Sequence, residues 1–92
     1  MKNEWDGAKR IQNIEIHGLD FVDAQEVLEG PCLIVPDDRK DYGENRYIAF
    51  GLLKGRLTAL VYTERSESIT RIISFRKANK REERLYVKEI NR

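Results

Sequence analysis

The chain has 92 residues, of which 40% are hydrophobic and 36% are charged, a length that suits one domain with a single core. No apolar run approaches the roughly 18 residues that a membrane-spanning helix needs, and no apolar stretch of a signal peptide follows the first lysine. One cysteine and one histidine exclude an internal disulfide and a thiolate-rich zinc site. We therefore expect one reduced, cytoplasmic domain over residues 1–92, with no membrane contact, no metal and no cofactor.

Charge is distributed unevenly along the chain, although the net charge is only +1. Residues 1–70 contain 9 Lys and Arg against 13 Asp and Glu, whereas residues 71–92 contain 8 Lys and Arg against 3 Glu. A segregated basic end indicates a polyanionic partner, but a solvated basic helix has the same composition. Charge alone leaves both interpretations open.

The first third of the chain predicts two helices. Apolar residues recur at spacings of three and four over residues 5–17, where Asp6 can cap the start and Gly18 suits the left-handed position after the end. A second, shorter helix is predicted over residues 21–28, with Asp20 as its cap.

From residue 32 the apolar period changes from that of a helix to that of a strand. Strands are predicted over residues 32–35, 46–53, 57–65 and 69–76, with a three-residue turn at Lys54-Gly55-Arg56, and residues 77–90 return to helical character. The order predicts an α+β fold: two N-terminal helices, a four-stranded antiparallel meander sheet and a C-terminal helix.

The alternation of side chains predicts which residues share a face of this sheet. One register gathers large apolar residues into a core face: Ile48, Phe50, Leu60, Tyr62, Ile73 and Phe75. The opposite face then carries smaller and polar residues: Tyr47, Gly51, Ala59, Thr63, Arg65, Thr70, Ser74 and Arg76. Arginine forks and hydroxyls on an open sheet are good phosphodiester ligands, although an ordinary solvated sheet face looks similar.

A few single residues allow both a structural and a functional interpretation. Cys32 opens an apolar strand and is predicted to be a small core residue, and the aspartates at 37, 38 and 41 are predicted to form a surface turn rather than a cation site. His17 is either a helix-end contact or a general base or RNA ligand. Tyr86 either packs against the sheet or serves as a stacking or proton-donating group.

Several sequence runs together resemble the BrnT family of type II toxins. The N-terminal part has Glu4-Trp5-Asp6, Lys9, Asn13, His17-Gly18, Phe21 and Ala24. The second half has the runs Arg46 to Gly51, Leu60 to Arg65, Arg71 to Ala78 and Glu82 to Tyr86. The most specific feature is the pair of middle runs, because they combine strand residues with fixed charges at a fixed separation.

The resemblance implies a ribonuclease toxin with a RelE-like fold that acts in a bacterial or archaeal cytoplasm and inhibits translation by cleaving RNA. It also implies neutralisation by a BrnA-type antitoxin with a ribbon-helix-helix domain. Operator DNA would be bound only through that antitoxin.

Carried over to this sequence, the resemblance implies a site around Arg65, with Arg76 and Lys77 beside it. Further candidates for catalysis are Glu64, His17 and Tyr86, and those for RNA contact are Thr63, Ser74, Lys80 and Arg81. Such a site needs no metal: arginines would stabilise the phosphate during attack by the ribose 2′-hydroxyl, a base such as Glu64 or Lys77 would take the proton, and Tyr86 would donate one. The alternatives are a non-catalytic nucleic-acid-binding module and a protein-binding regulator.

Overall fold

The computed structural model describes residues 2–91 and has an α+β fold with three helices and a five-stranded mixed sheet. The elements are β1 (Lys2–Glu4), α1 (Gly7–His17), a 3-10 turn (Phe21–Asp23), α2 (Ala24–Glu29), β2 (Leu33–Pro36), β3 (Arg46–Leu53), β4 (Arg56–Ser66), β5 (Ile69–Lys77) and α3 (Lys80–Ile90). The sheet order is β1-β5-β4-β3-β2, with β1 parallel to β5 and the other pairs antiparallel. No helix within residues 2–91 is long and apolar enough to cross a membrane.

The prediction of a four-stranded antiparallel sheet is wrong by one strand. The meander from β2 to β5 has the expected order, but β1 adds a fifth strand that runs parallel to β5 at the edge. Lys2, Asn3 and Glu4 are all polar, so they carry no alternating apolar signal. The strand is specified by its pairing with Ile69–Arg71, far along the chain.

Helix ends follow the local capping signals. The Asp6 carboxylate accepts hydrogen bonds from the N–H groups of Ala8 and Lys9, and Gly18 ends α1 with a φ of 72°, which confirms both predicted caps. The second predicted helix is divided into the 3-10 turn, capped by Asp20, and α2.

The C-terminal helix begins three residues later than predicted. Lys77 is the last residue of β5, and α3 starts at Lys80 because Asn79 and Glu82 form a capping box, in which each side chain accepts a hydrogen bond from the backbone N–H of the other residue.

The predicted register between β3 and β4 is wrong by one residue. The connecting turn has two residues, Lys54 and Gly55, with φ values of 51° and 80°, and Arg56 already pairs with Leu53. Positive φ at both central positions is the two-residue hairpin geometry that matches strand twist. A two-residue turn in place of three shifts β3 by one position, so Ile48 lies opposite Val61.

This shift gives the sheet two apolar faces. One face, covered by the 3-10 turn and α2, packs Ala49, Leu60 and Phe75 against Phe21 and Val27, and we call it the α2 face. The other, the α3 face, packs Ile48, Phe50, Ala59 and Val61 under Tyr86. The predicted open polar face is therefore wrong as a single surface, because Tyr47 and Gly51 lie on the α2 face while Ala59 lies on the α3 face.

The pairing of β4 with β5 also departs from simple alternation. An irregularity between Val61 and Tyr62 makes Ile72, not Ile73, the neighbour of Tyr62, so Ile72 joins the α2 face and Ile73 packs with the α3-face cluster. A second irregularity follows Glu64, beside Arg65. Such bulges redirect side chains near the end of a strand.

One glycine permits the close approach of α2 to the sheet. A Cβ atom at Gly51 would lie 2.8 Å from Cγ1 of Val27 and 3.1 Å from Cβ of Cys32. A side chain at this position would require Val27 and Cys32 to move.

Candidate functional site

Two arginines share one carboxylate at the edge of the sheet where β1 pairs with β5. Glu4 Oε2 lies 2.7 Å from Nη1 of Arg71 and 3.6 Å from Nε of Arg65. Glu4 and Arg71 are register partners in the parallel pair, which explains why the unexpected strand β1 places a carboxylate here. We call Glu4, Arg65 and Arg71 the Glu4 cluster.

Arg65 is the least engaged member of this cluster. Its side chain is 54% exposed, and its long contact with Glu4 is its one interaction within residues 2–91. It lines a cleft of about 360 Å³ together with Tyr47, Thr63 and Glu64. A guanidinium fork that is held on a strand and faces open space can donate two hydrogen bonds to a pair of phosphate oxygens.

Thr63 stands between the strands that carry the basic groups. It lies directly opposite Arg46 on β3 and Arg71 on β5, so all three share one face of the sheet. The Thr63 hydroxyl donates a 2.6 Å hydrogen bond to the backbone carbonyl of Asn45. The hydroxyl proton is therefore used within the fold.

Arg76 belongs to a different structure at the other end of β5. Its Nη1 and Nη2 atoms donate to the two carboxylate oxygens of Glu82 at 2.8 and 2.9 Å, and Glu82 is also the acidic half of the α3 capping box. Hydrogen bonding to Arg76 holds the pKa of Glu82 below its usual range, and the same bonds raise the pKa of Arg76. This pair fastens the start of α3 to β5.

The two sequence-predicted arginines do not meet at one phosphate. Arg76 lies opposite Ala59 on β4, and Arg65 follows Ala59 by six residues on that strand. At the rise of an extended chain this separation is about 20 Å. The single clamp expected from adjacent strands is replaced by two separate basic positions.

The remaining candidates are spread over the molecule. Tyr86 is buried, and its hydroxyl donates a 2.7 Å hydrogen bond to the carbonyl of Pro31, a placement that favours the packing interpretation. Lys77 is exposed opposite Thr58, close to α3 and far from Arg65. Lys80 and Arg81 are exposed in the first turn of α3.

His17 lies apart from both basic positions. It is the exposed last residue of α1 and lines a shallow pocket of about 210 Å³ with Lys9 and Ser74. Ser74 is half-buried opposite Val61 on β4. The structure therefore brings together Arg65, Glu64 and Thr63 from the predicted set, and separates the others from them.

The loop between β2 and β3 is built around a buried carboxylate, contrary to the prediction of a plain surface turn. The side chain of Asp37 is 0% exposed and accepts hydrogen bonds from Nε and Nη2 of Arg39 at 2.7 and 2.8 Å. These bonds lower the pKa of Asp37 to about 2. The loop also carries Tyr42, whose ring centroid lies 4.0 Å from Cζ of Arg46.

Ion pairing in the Glu4 cluster differs from that of four other arginines. Four arginines each pair with a carboxylate of their own, in the pairs Arg10–Asp20, Arg39–Asp37, Arg46–Glu44 and Arg76–Glu82. In the Glu4 cluster two guanidinium groups share one carboxylate, and the carboxylates of Glu44 and Glu64 line the cleft beside Arg65 without an ion pair to it. Sequence reasoning missed Glu4 and Arg71, although Arg71 begins the run of residues 71–78.

Within residues 2–91 no three His, Cys, Asp or Glu side chains are grouped as a metal ion would require. The one cysteine, Cys32, is partly buried, and burial raises the pKa of its thiol.

Comparisons with known proteins agree with the sequence resemblance. Residues 5–82 match the family model described as "Ribonuclease toxin, BrnT, of type II toxin-antitoxin system". The chain is also similar to the Brucella abortus ribonuclease toxin BrnT, known from a crystal structure at 1.1 Å resolution. The two are 30% identical, the match covers 87% of this chain and 99% of that one, and the TM-score is 0.70. Among curated proteins none matches this sequence.

Proposed function

We propose, since this chain belongs to the BrnT family of ribonuclease toxins of type II toxin–antitoxin systems, that it cleaves RNA and that the Glu4 cluster binds the phosphate at the cleavage point. The observation that carries this assignment is the sharing of one carboxylate by Arg65 and Arg71. Glu4 contacts the two guanidinium groups at 2.7 and 3.6 Å. A phosphodiester that displaces Glu4 would accept hydrogen bonds from both groups.

The reaction proposed for this position is a transesterification that uses no metal. The ribose 2′-oxygen bonds to phosphorus, the bond from phosphorus to the 5′-oxygen breaks, and a cyclic phosphate and a 5′-hydroxyl result. Arg65 and Arg71 stabilise the negative charge on the non-bridging oxygens. Glu64, which is exposed beside Arg65 in the same cleft, is the base proposed to take the 2′-hydroxyl proton, and water protonates the leaving oxygen.

The partners proposed for this protein follow from its family. The antitoxin would be a BrnA-type protein with a ribbon-helix-helix domain, and operator DNA would be reached through it. RNA cleavage in the cytoplasm would inhibit translation. The proposal assigns no role in RNA cleavage to the candidates outside the Glu4 cluster and its cleft, which are Lys77, Lys80, Arg81, Tyr86 and His17.

Arg65→Ala tests the proposed phosphate site, and Arg56→Ala is its matched control because Arg56 is an exposed arginine at the opposite end of the same strand. We expect Arg65→Ala to lower the cleavage rate of single-stranded RNA by on the order of a hundredfold, and Arg56→Ala to leave it unchanged. Arg65→Lys should restore the rate only in part, because lysine lacks the planar fork.

The chemistry is read from the products. An RNA with one 2′-deoxy sugar should resist cleavage at that position, and the cut ends should carry a cyclic phosphate. Full cleavage by an Arg65→Ala, Arg71→Ala double variant would remove the assignment. RNA binding without cleavage by the wild-type protein would instead favour a non-catalytic nucleic-acid-binding module.

A further inference from the structure

The last helix contacts the rest of the protein along one side. Tyr86 is the one buried residue of α3 among residues 80–90, and Glu82 fastens the first turn through Arg76. At 100° per residue, Glu83 and Glu89 lie within roughly 60° of the direction of Tyr86. The acidic side chains of α3 are therefore on the side that faces the sheet.

The opposite side of α3 carries only basic charge. Arg84 and Lys88 precede and follow Tyr86 by two residues, which places both roughly 160° from it around the helix. Lys80 and Arg81 extend the same surface toward the start of α3, and all four side chains belong to exposed residues. None of the four has an ion pair with a carboxylate in the described part of the chain. We call these four residues the basic stripe.

Apolar side chains border the basic stripe. Leu85 and Val87 lie on its two flanks and are 40% and 56% exposed. Val87 also lines a groove of about 480 Å³ between α3 and the β3–β4 hairpin, together with Leu52 and Leu57. Lys77 and Arg56 stand at this groove against a single acid, Glu83, so its rim is also basic.

We infer that the basic stripe and this groove dock an acidic amphipathic segment of the protein antitoxin, an assignment that rests on the proposed function for the partner's identity. Four unpaired cations complement a segment with acidic side chains, and exposed aliphatic groups beside them are covered by apolar side chains of the same segment. RNA fits this surface less well: bases stack on aromatic rings, and the only aromatic residue of α3 is buried under the helix.

The test compares affinity for the antitoxin of the same operon with affinity for a short, non-cleavable 2′-O-methyl RNA, with full-length protein in each case. Arg84→Glu and Lys88→Glu should each weaken antitoxin binding by on the order of tenfold, because like charges then meet in the complex. Val87→Ser should also weaken it, by about tenfold. The controls are Lys40→Glu, an exposed loop cation, and Ile11→Ser, 58% exposed on α1, and both should bind as the wild type does.

The outcomes separate the two proposals. Unchanged antitoxin affinity for the three α3 variants overturns the docking inference, and so does a loss of RNA affinity with antitoxin binding intact. RNA cleavage by each free variant is measured in parallel and should equal that of the wild type, since Arg84, Val87 and Lys88 belong neither to the Glu4 cluster nor to the cleft that Arg65 lines. If the wild-type protein cleaves no RNA, the proposed function fails while the antitoxin affinities still decide the docking surface.

Discussion

At the scale of single residues, arginines that look alike in the sequence differ in what holds them. Arg65 has one long contact and is half-exposed, whereas Arg76 makes two short bonds to a carboxylate that is only 15% exposed. The sequence places both on neighbouring strands, and this is correct. The sequence does not show that Glu82 of α3 forms an ion pair with Arg76.

Arg76→Ala is expected to act on stability rather than on catalysis. The substitution leaves the Glu82 carboxylate with the backbone N–H of Asn79 as its remaining donor, which should lower the free energy of unfolding by about 1–3 kcal/mol. Arg65→Ala should change it by less than about 1 kcal/mol, because exposed ion pairs contribute little. Urea unfolding of both variants measures the difference. An Arg76→Ala protein with wild-type stability and no cleavage would return Arg76 to the catalytic site.

The buried carboxylate of Asp37 predicts a loss of stability in acid. Hydrogen bonds from Arg39 hold its pKa at about 2, below the ordinary value of 3.8. A lowered folded-state pKa stabilises the protein above about pH 4, and this contribution is lost as the pH falls from there toward 2. We expect it to reach about 1–2 kcal/mol, since Arg39 is itself largely exposed to solvent.

Urea unfolding of the wild type and of Asp37→Asn between neutral pH and pH 3 measures this contribution. The variant should be less stable at neutral pH, and the gap should narrow as the pH falls. The pKa values of Asp20 and Glu82 are also lowered. Protonation of these two carboxylates in acid therefore destabilises the wild type and the variant equally. A gap that stays constant with pH would contradict the assignment.

At the scale of elements, local signals located the helices, although not all of their bounds, and were insufficient for the sheet. Capping residues such as Asp6 and Gly18 act through neighbouring backbone groups, so their sequence signals are read directly. The β3–β4 register depends on whether the turn has two residues or also includes Arg56 as a third. Either turn length places large apolar residues together on one face of the sheet. Because both faces of this sheet are covered, alternation could not decide between them.

Asn13 predicts how much the docking of α1 contributes to stability. Its amide Nδ2 donates to the carbonyls of Leu19 and Phe75 at 2.9 and 2.8 Å, and its Oδ1 accepts from the N–H of Phe75 at 3.0 Å. Asn13→Ala should therefore lower the free energy of unfolding by about 2–4 kcal/mol, because buried backbone groups lose their partners.

Thermal unfolding measures this effect, and Gln12→Ala is the control on the exposed side of the same helix. Asn13→Asp should retain part of the stability, since it keeps the acceptor for the Phe75 N–H. Equal melting temperatures for Asn13→Ala and Gln12→Ala would show that α1 docks without this amide.

At the scale of the whole molecule, the uneven charge seen in the sequence resolves into two surfaces. Four of the basic residues after residue 70 lie on α3, namely Lys80, Arg81, Arg84 and Lys88, while the proposed phosphate site combines Arg65 and Arg71 with Glu4 from the N-terminus. Composition could predict the first surface. The second required a strand of three polar residues to be placed beside β5.

The whole protein is expected to cleave RNA without a divalent metal ion. Arginine side chains supply the positive charge at the proposed phosphate site, so the transition state has its electrostatic stabilisation without an added cation. Addition of a chelator such as EDTA should leave both the cleavage rate and the melting temperature unchanged. Loss of cleavage that is restored by Mg²⁺ would contradict the arginine mechanism.

The amide of Asn13 has a consequence for how this sheet meets other chains. An uncovered strand edge is a template for self-association and for partners that add a strand. Strand β1 pairs with only three residues of β5. Farther along the same edge of β5, the Asn13 side chain bonds to the N–H and the carbonyl of Phe75, as a neighbouring strand would. The opposite edge, β2, has four residues and ends at Pro36, which has no N–H to offer. Strand pairing is thereby disfavoured along this part of β5 and at the end of β2, which favours a protein partner that recognises side chains on a surface.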